Sequence, residues 1–317
     1  MKKDYVLSVG KNKLLNKAFE SKYYKEENID SYTKIDYYEQ ENIVKNINTL
    51  ITKGYSNNNI SMILAHGDDN DVSEFAKRDK VKYLEEFYSM GYAKLDYYDR
   101  YVAFSSETGE DEEVTVLFVN LGMDKEAYVD YVVVEDFSYD MLVNKYYKMD
   151  EDLVADDLIK IKSDYTNSNE HYASKVAVNA IYEMFDAAEK EGYSLIVNSS
   201  YRSYQQQVDL CEEYKKLYGE NYVKNYVAQP GFSEHQTGLA FDIGSRKSNV
   251  FANSKEYKWM LENAHKYGFI LRFSKSGEDI TGFRNEPWHY RYVGVDIATV
   301  IYENNITFEE YYVKFLD

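Results

Sequence analysis

Two short stretches of this 317-residue chain concentrate the side chains able to hold and use a metal ion. Ser233-Glu234-His235-Gln236-Thr237-Gly238-Leu239-Ala240-Phe241-Asp242 supplies His235 and Asp242, and Glu286-Pro287-Trp288-His289-Tyr290-Arg291 supplies Glu286 and His289. A hydrolytic zinc site takes three protein ligands from His and carboxylate and leaves a fourth position for water. His235 and Asp242, seven apart, converge if the chain turns at Gly238 and returns as a strand with Asp242 facing inward. His289, heading an apolar strand, is the natural third ligand. Glu286, three residues before it, is spaced to take a proton from the attacking water and hand it to a leaving amine. Pro287 cannot donate to a ladder, which predicts an edge strand or bulge beside a cleft.

Hydrolysis also needs a positive group where an oxyanion develops, and a guanidinium could hold either that tetrahedral oxyanion or a substrate carboxylate. Arg202 follows a buried strand on the tight turn Ser200-Tyr201-Arg202-Ser203, and Gln207, one turn into the next helix, points to the same cleft. Taken singly these residues mark little: a histidine seven residues before an aspartate is common, and Arg202 alone could be an ion-pair donor. The other histidines read as helix-terminal (His66), surface or linker (His171) and packed or solvated on a helix (His265). The lone cysteine, Cys211, excludes an intrachain disulfide framework and a multi-thiolate zinc site. The pattern Val208, Leu210, Cys211, Tyr214, Leu217 predicts a buried helix face and a packed thiol.

The joint pattern resembles the VanY-like D-alanyl-D-alanine carboxypeptidases of the LAS group of zinc peptidases, a group that also contains L,D-carboxypeptidases. The signature Ser-x-His-x-x-Gly-x-Ala-x-Asp is matched at Ser233, His235, Gly238, Ala240 and Asp242. The Glu-x-x-Trp-His element is close to Glu286, Pro287, Trp288 and His289, and the Tyr-Arg-Ser element with a following Gln is matched at Tyr201, Arg202, Ser203 and Gln207. The resemblance covers roughly residues 143–295. It implies one Zn2+ held by His235, Asp242 and His289, with Glu286 as catalytic base and Arg202, Gln207 and Ser233 lining the substrate site. Tyr201, Ser203 and Trp288 would be wall or supporting residues. Ser200 stands where the family has Gly, and the loop from Ser274 to Asp279 has Ser where Pro or Gly is expected.

The elements that must position these groups are legible in part. Helical periodicity at Ile43, Ile47, Leu50 and Ile51 stops at Gly54, and Ser56 is spaced to cap a second helix through Ile60, Ile63 and Leu64. Residues 72–88 read as helix, 5–9 as a short strand or extended arm, and 101–104, 114–121 and 128–134 as strands separated by the acidic turn 107–113. Downstream come a helical stripe from Ala177 to Ala188, a strand at 195–198, a helix over 204–218, a strand at 238–243, a helix over 256–267, strands at 270–273 and 289–293, and a helical tail. The fold class is α+β: an N-terminal accessory domain of helices then a small antiparallel sheet, residues 1–142, and a catalytic domain, residues 143–317, with an antiparallel sheet flanked by helices.

Composition sets outer bounds. With 55 Asp+Glu against 37 Lys+Arg the net charge is −18, which disfavours nucleic acid as a partner, and 44% hydrophobic residues suffice for packed cores. No apolar run reaches membrane-spanning length. Thirty-five tyrosines against two prolines fit biased codon usage or sugar-stacking surfaces. The function implied is removal of a C-terminal D-alanine from peptidoglycan stem peptides. The alternatives are a stem-peptide endopeptidase and a non-catalytic peptidoglycan-binding module. That substrate places the protein outside the membrane, in the cell envelope, with a leader removed; the alternative is a cytoplasmic enzyme.

Overall fold

The computed structural model describes residues 12–78, 81–167 and 169–316, so the strand or arm expected at 5–9 lies outside the described residues. The chain divides into two compact units, Met1–Asn120 and Leu121–Asp317.

The first unit is helical: α1 (Lys13–Glu20), α2 (Ile29–Lys34), α3 (Ile43–Thr52), α4 (Asn57–His66), α5 (Asp69–Phe75), α6 (Leu84–Tyr88), α7 (Tyr98–Thr108) and α8 (Glu112–Asn120). Helix α3 buries Ile43, Ile47 and Leu50 on one face, and the Ser56 side chain caps α4 by accepting from the Asn59 amide. The region expected as one helix over 72–88 holds two: α5, started by a capping box of Asp68 and Asp71, ends at Phe75, and α6 begins only at Leu84, after Tyr83 in the left-handed conformation (φ 57°).

The strands expected at 101–104 and 114–121 are also helical, within α7 and α8. The acidic segment between them is capping chemistry. Gly109 closes α7 in the left-handed conformation (φ 75°), and the Asp111 carboxylate accepts from the Val114 amide at 2.9 Å to start α8. Glu112 and Glu113 then oppose the positive end of the helix dipole. Burial of Tyr101, Val116 and Val119 overrides their strand propensity.

In the second unit β1 (Val132–Val134) pairs in parallel with β2 (Tyr147–Met149), and β3 (Leu158–Lys160) pairs antiparallel with β4 (Tyr172–Ser174). Of the three runs expected to form a small antiparallel sheet, only 132–134 is extended, and its partner strand is parallel. Helix α9 (Lys175–Lys190) leads into β5 (Leu195–Ser199), α10 (Tyr204–Tyr218), α11 (Glu220–Tyr226) and β6 (Ala240–Ser245). After these come α12 (Lys255–Asn263), β7 (Phe269–Leu271), α13 (Glu278–Thr281), β8 (His289–Tyr292), α14 (Val295–Asn304) and α15 (Phe308–Phe315). The central sheet has the order β5-β6-β8-β7, antiparallel throughout.

Ala177, Val178, Ile181, Met184 and Phe185 of α9 and Trp259 and Met260 of α12 form one buried cluster with Val197, Phe241, Ile243 and Tyr290 from the sheet. Because side chains alternate along a strand, Asp242, His289 and Arg291 fall on the opposite face. Strand β8 lies inside the sheet, between β6 and β7, so of the edge or bulge expected from Pro287 the edge does not occur. Proline is accommodated because it precedes the strand, in a turn closed by the His289 amide on the Glu286 carbonyl at 3.0 Å. The face expected to be buried on α10 is not. Leu217 is 61% exposed and Cys211 half-buried, while the polar Gln207 is buried. This helix borders a cleft rather than the core.

Candidate metal centre and active site

His235 lies in a turn of 3-10 helix, Glu234–Thr237, closed by Gly238 in the left-handed conformation (φ 69°). A Cβ at Gly238 would lie 2.8 Å from the Leu158 side chain and 3.2 Å from the Ser174 amide nitrogen, so glycine is what lets the chain reverse here. Strand β6 follows, and its register sets Asp242 opposite His289 on β8 and beside Ser199 at an irregularity in β5. Facing residues of an antiparallel pair share a face of the sheet. Two strand residues and one turn residue thus converge.

The Asp242 Oδ1 atom is 3.5 Å from His235 Nε2 and 3.4 Å from His289 Nδ1, and one ligand atom from each of the three residues lies within 4.8 Å of the others. Ligands about 2.0–2.1 Å from a tetrahedral zinc are spaced roughly 3.3–3.4 Å apart, so both contacts, long for hydrogen bonds, fit two edges of such a tetrahedron. Asp242 Oδ1 is buried and, among the described residues, has no hydrogen-bond partner. A buried carboxylate oxygen left unpaired is costly; a cation at that point removes the cost.

The far side of each imidazole fixes which nitrogen is free. His235 Nδ1 bonds the Ser200 carbonyl at 2.7 Å, which leaves the Nε2 lone pair facing Asp242. His289 Nε2 bonds Glu234 Oε2 at 3.2 Å, which leaves Nδ1 facing the same point. Ser200, in the family's glycine position, keeps an ordinary backbone conformation, and its hydroxyl donates to the Tyr172 carbonyl at 2.8 Å.

Burial would raise the Asp242 carboxyl, but the two imidazoles outweigh it and hold the group far below the usual carboxylate range. Burial pushes His235 down. It acts on His289 in the same direction, yet the carboxylates of Asp242 and Glu234 prevail and raise that imidazole to about 9. Glu286, whose Oε2 is 3.7 Å from His289 Nδ1, is raised by burial. That moves a carboxylate toward proton exchange near neutral pH.

A cavity of about 210 Å³ adjoins these groups, lined among others by Arg202, Gln207, Ser233, Glu286 and Trp288. The Arg202 guanidinium donates to Gln207 Oε1 at 2.7 Å and to Ser199 Oγ at 3.3 Å, and Gln207 donates to the Ala228 carbonyl at 2.7 Å. Of the three residues expected as wall or support, Trp288 lines the cavity and two do not. Ser203 caps α10, accepting from the Gln206 amide at 3.2 Å, and Tyr201, half-buried, is tied through its amide to the Tyr172 carbonyl.

Sequence reasoning missed a buried charge cluster behind His289. Glu234 Oε1 accepts from Arg272 Nε at 2.8 Å and from Arg291 Nη1 at 3.3 Å. The other side of Arg272 forms a two-pronged pair with Glu309, at 2.8 and 2.6 Å. A signal existed: Arg272 and Arg291 are lone charges inside runs expected as apolar strands, and Glu234 sits next to a ligand candidate.

Comparison with known proteins points to one family. Residues 170–295 match the family model VanY, D-alanyl-D-alanine carboxypeptidase. A Bacillus subtilis protein named as a carboxypeptidase, YodJ, is 44% identical over 181 residues, covering 55% of this chain and 66% of the relative. A D-alanyl-D-alanine carboxypeptidase of Enterococcus faecalis is 39% identical over 140 residues, covering 41% and 52%. The chain thus spans between half and two thirds of the length of these relatives. Among solved structures, the LdcB LD-carboxypeptidase, described for its peptidoglycan recognition, superposes with a TM-score of 0.54 at 41% identity over 58% of this chain and 90% of its own. With the three motifs in order, the antiparallel sheet that brings them together and these likenesses, the chain belongs to the VanY-like D-alanyl-D-alanine carboxypeptidase family.

Proposed function

We propose that the protein is a zinc-dependent carboxypeptidase that removes a C-terminal D-alanine from peptidoglycan stem peptides and works in the cell envelope. The observation that carries this reading is the unpartnered Asp242 Oδ1 held between two imidazole nitrogens, with Glu286 alongside. His235, Asp242 and His289 would hold the ion, which when bound supplies Lewis-acid activation of water and of the scissile carbonyl. Glu286 accepts the proton of the attacking water and delivers it to the departing amine of D-alanine, so that base and acid are one side chain. Arg202, braced by Gln207, presents a fixed guanidinium to the substrate's terminal carboxylate. Ser233 and Trp288 shape the cavity wall.

The test is D-alanine release from defined stem peptides ending in D-Ala-D-Ala and in an L-residue followed by D-Ala, with metal content measured on the same samples. Release from one or both, abolished by chelator and restored by zinc, is the expected result, and the preferred peptide assigns the specificity. Peptide binding without release from the zinc-loaded protein would instead make it a recognition module. The relatives' names support the hydrolase, being those of carboxypeptidases.

A further inference from the structure

The charge cluster behind His289 extends beyond residue 295, where the family match ends, into the C-terminal helix α15. Glu309, fully buried on that helix, spends both carboxylate oxygens on the terminal nitrogens of Arg272, and its Oε1 also accepts from Asn144 Nδ2 at 3.1 Å. Arg272 has its third nitrogen, Nε, on Glu234 Oε1, so one guanidinium is clamped by two carboxylates on different edges. Glu234 Oε2 is the atom that bonds His289 Nε2. Arg291 completes the set, bonding Glu234 and the Met141 carbonyl at 3.1 Å. Two buried carboxylates thus balance two buried guanidiniums.

A fully buried ion cluster is no more stabilising than well-packed apolar side chains of the same volume. Stability alone therefore does not account for it, whereas the chain of contacts ends on a nitrogen whose partner fixes the orientation of a metal-facing ring. We propose that Glu309 is a positioning residue for the metal site: through Arg272 and Glu234 it holds the His289 imidazole with Nδ1 turned to the cation. The C-terminal helix is then a working part of the site. This rests on the metal reading given under Proposed function.

The experiment measures zinc affinity of the full chain by competition with a chelator of known affinity, at a temperature where circular dichroism shows each variant folded. Groups that orient a ligand from behind cost roughly ten- to hundredfold in metal affinity when removed. Glu309→Gln should therefore bind zinc about tenfold more weakly than the wild type. The double variant Arg272→Met with Glu309→Leu replaces the ion pair by apolar contacts. It should regain thermal stability but not zinc affinity, and it carries the comparison should Glu309→Gln fail to fold. Zinc binding by the folded variants as tight as that of the wild type overturns the positioning role alone. A wild type that takes up no zinc overturns the metal reading itself, and this proposal with it.

Discussion

The two sides of the His289 ring differ in how their charges are satisfied. Behind the ring, Glu234, Arg272, Arg291 and Glu309 are almost wholly excluded from solvent, and each is paired with an opposite charge. In front of it, Asp242 Oδ1 has no hydrogen-bond partner among the described residues, and Glu286 keeps 28% of its side chain exposed beside a cavity. The paired side serves to hold a geometry, since each nitrogen of the two guanidiniums already has an acceptor. The unpaired side has capacity left for a cation, a water and a substrate. Function sits where the polar pairing is incomplete.

That contrast breaks most sharply at Glu286. Glu286→Gln keeps the shape and removes the proton acceptor, so D-alanine release should fall by about 10²–10⁴-fold while zinc content stays at one per chain. Loss of zinc together with activity would show that Glu286 belongs with the ligands rather than with the reacting groups. On the paired side the largest effect is on folding. Arg272→Met strands Glu234 and Glu309 as buried carboxylates with fewer partners, and removal of one partner from such a pair costs about 3–5 kcal/mol. Chemical denaturation of the full chain reads this directly; a cost below about 1 kcal/mol would mean that water reaches the cluster.

The difference between the two sides also explains what the sequence made legible. His235, Asp242, His289 and Glu286 stood out because ligand chemistry restricts residue type and spacing, and the alternation of β6 and β8 then forces Asp242 and His289 onto one face. Glu234, Arg272 and Glu309 are joined across 38 and 37 residues by contacts that leave no local pattern. The errors have a local cause as well. The β-branched and aromatic runs at 101–104 and 114–121 carry strand propensity, whereas Gly109 and Asp111 mark a helix end and a helix start. Ser203, expected as a wall or supporting residue, caps α10 by accepting from the Gln206 amide, a role its Ser-x-x-Gln spacing permits.

A smaller effect is expected at the cavity wall. Arg202→Lys keeps the charge but loses the planar fork that Gln207 braces. Loss of one charge-assisted hydrogen bond to a substrate carboxylate is worth about 1.5–3 kcal/mol, or roughly ten- to hundredfold in kcat/KM. The loss should appear mainly in KM, and a substrate amidated at its C-terminus should show little difference between wild type and variant. An equal loss on both substrates would move Arg202 from the carboxylate to the developing oxyanion.

The smallest effect comes from the helical unit, where burial acts on neutral hydroxyls instead of charges. The Tyr55 hydroxyl donates to the Phe75 carbonyl at 2.6 Å, and burial, only partly offset by Arg78, raises the phenol to about 12. In the unfolded chain the same group titrates near about 10. A pKa raised by folding means that the unfolded state loses its proton first. The contribution of Tyr55 is thus whole below pH about 10 and shrinks as pH climbs from there through about 12. Tyr55→Phe removes both the hydrogen bond and the titration. At pH 8 the variant should be less stable by about 0.5–1.5 kcal/mol, the net worth of one such bond, and the gap in urea midpoint should narrow above pH about 10 and close or reverse by pH about 11.5. A gap that stays constant across that range would mean that the phenol ionises alike in both states, and that burial in this unit exerts no pull on its hydroxyl.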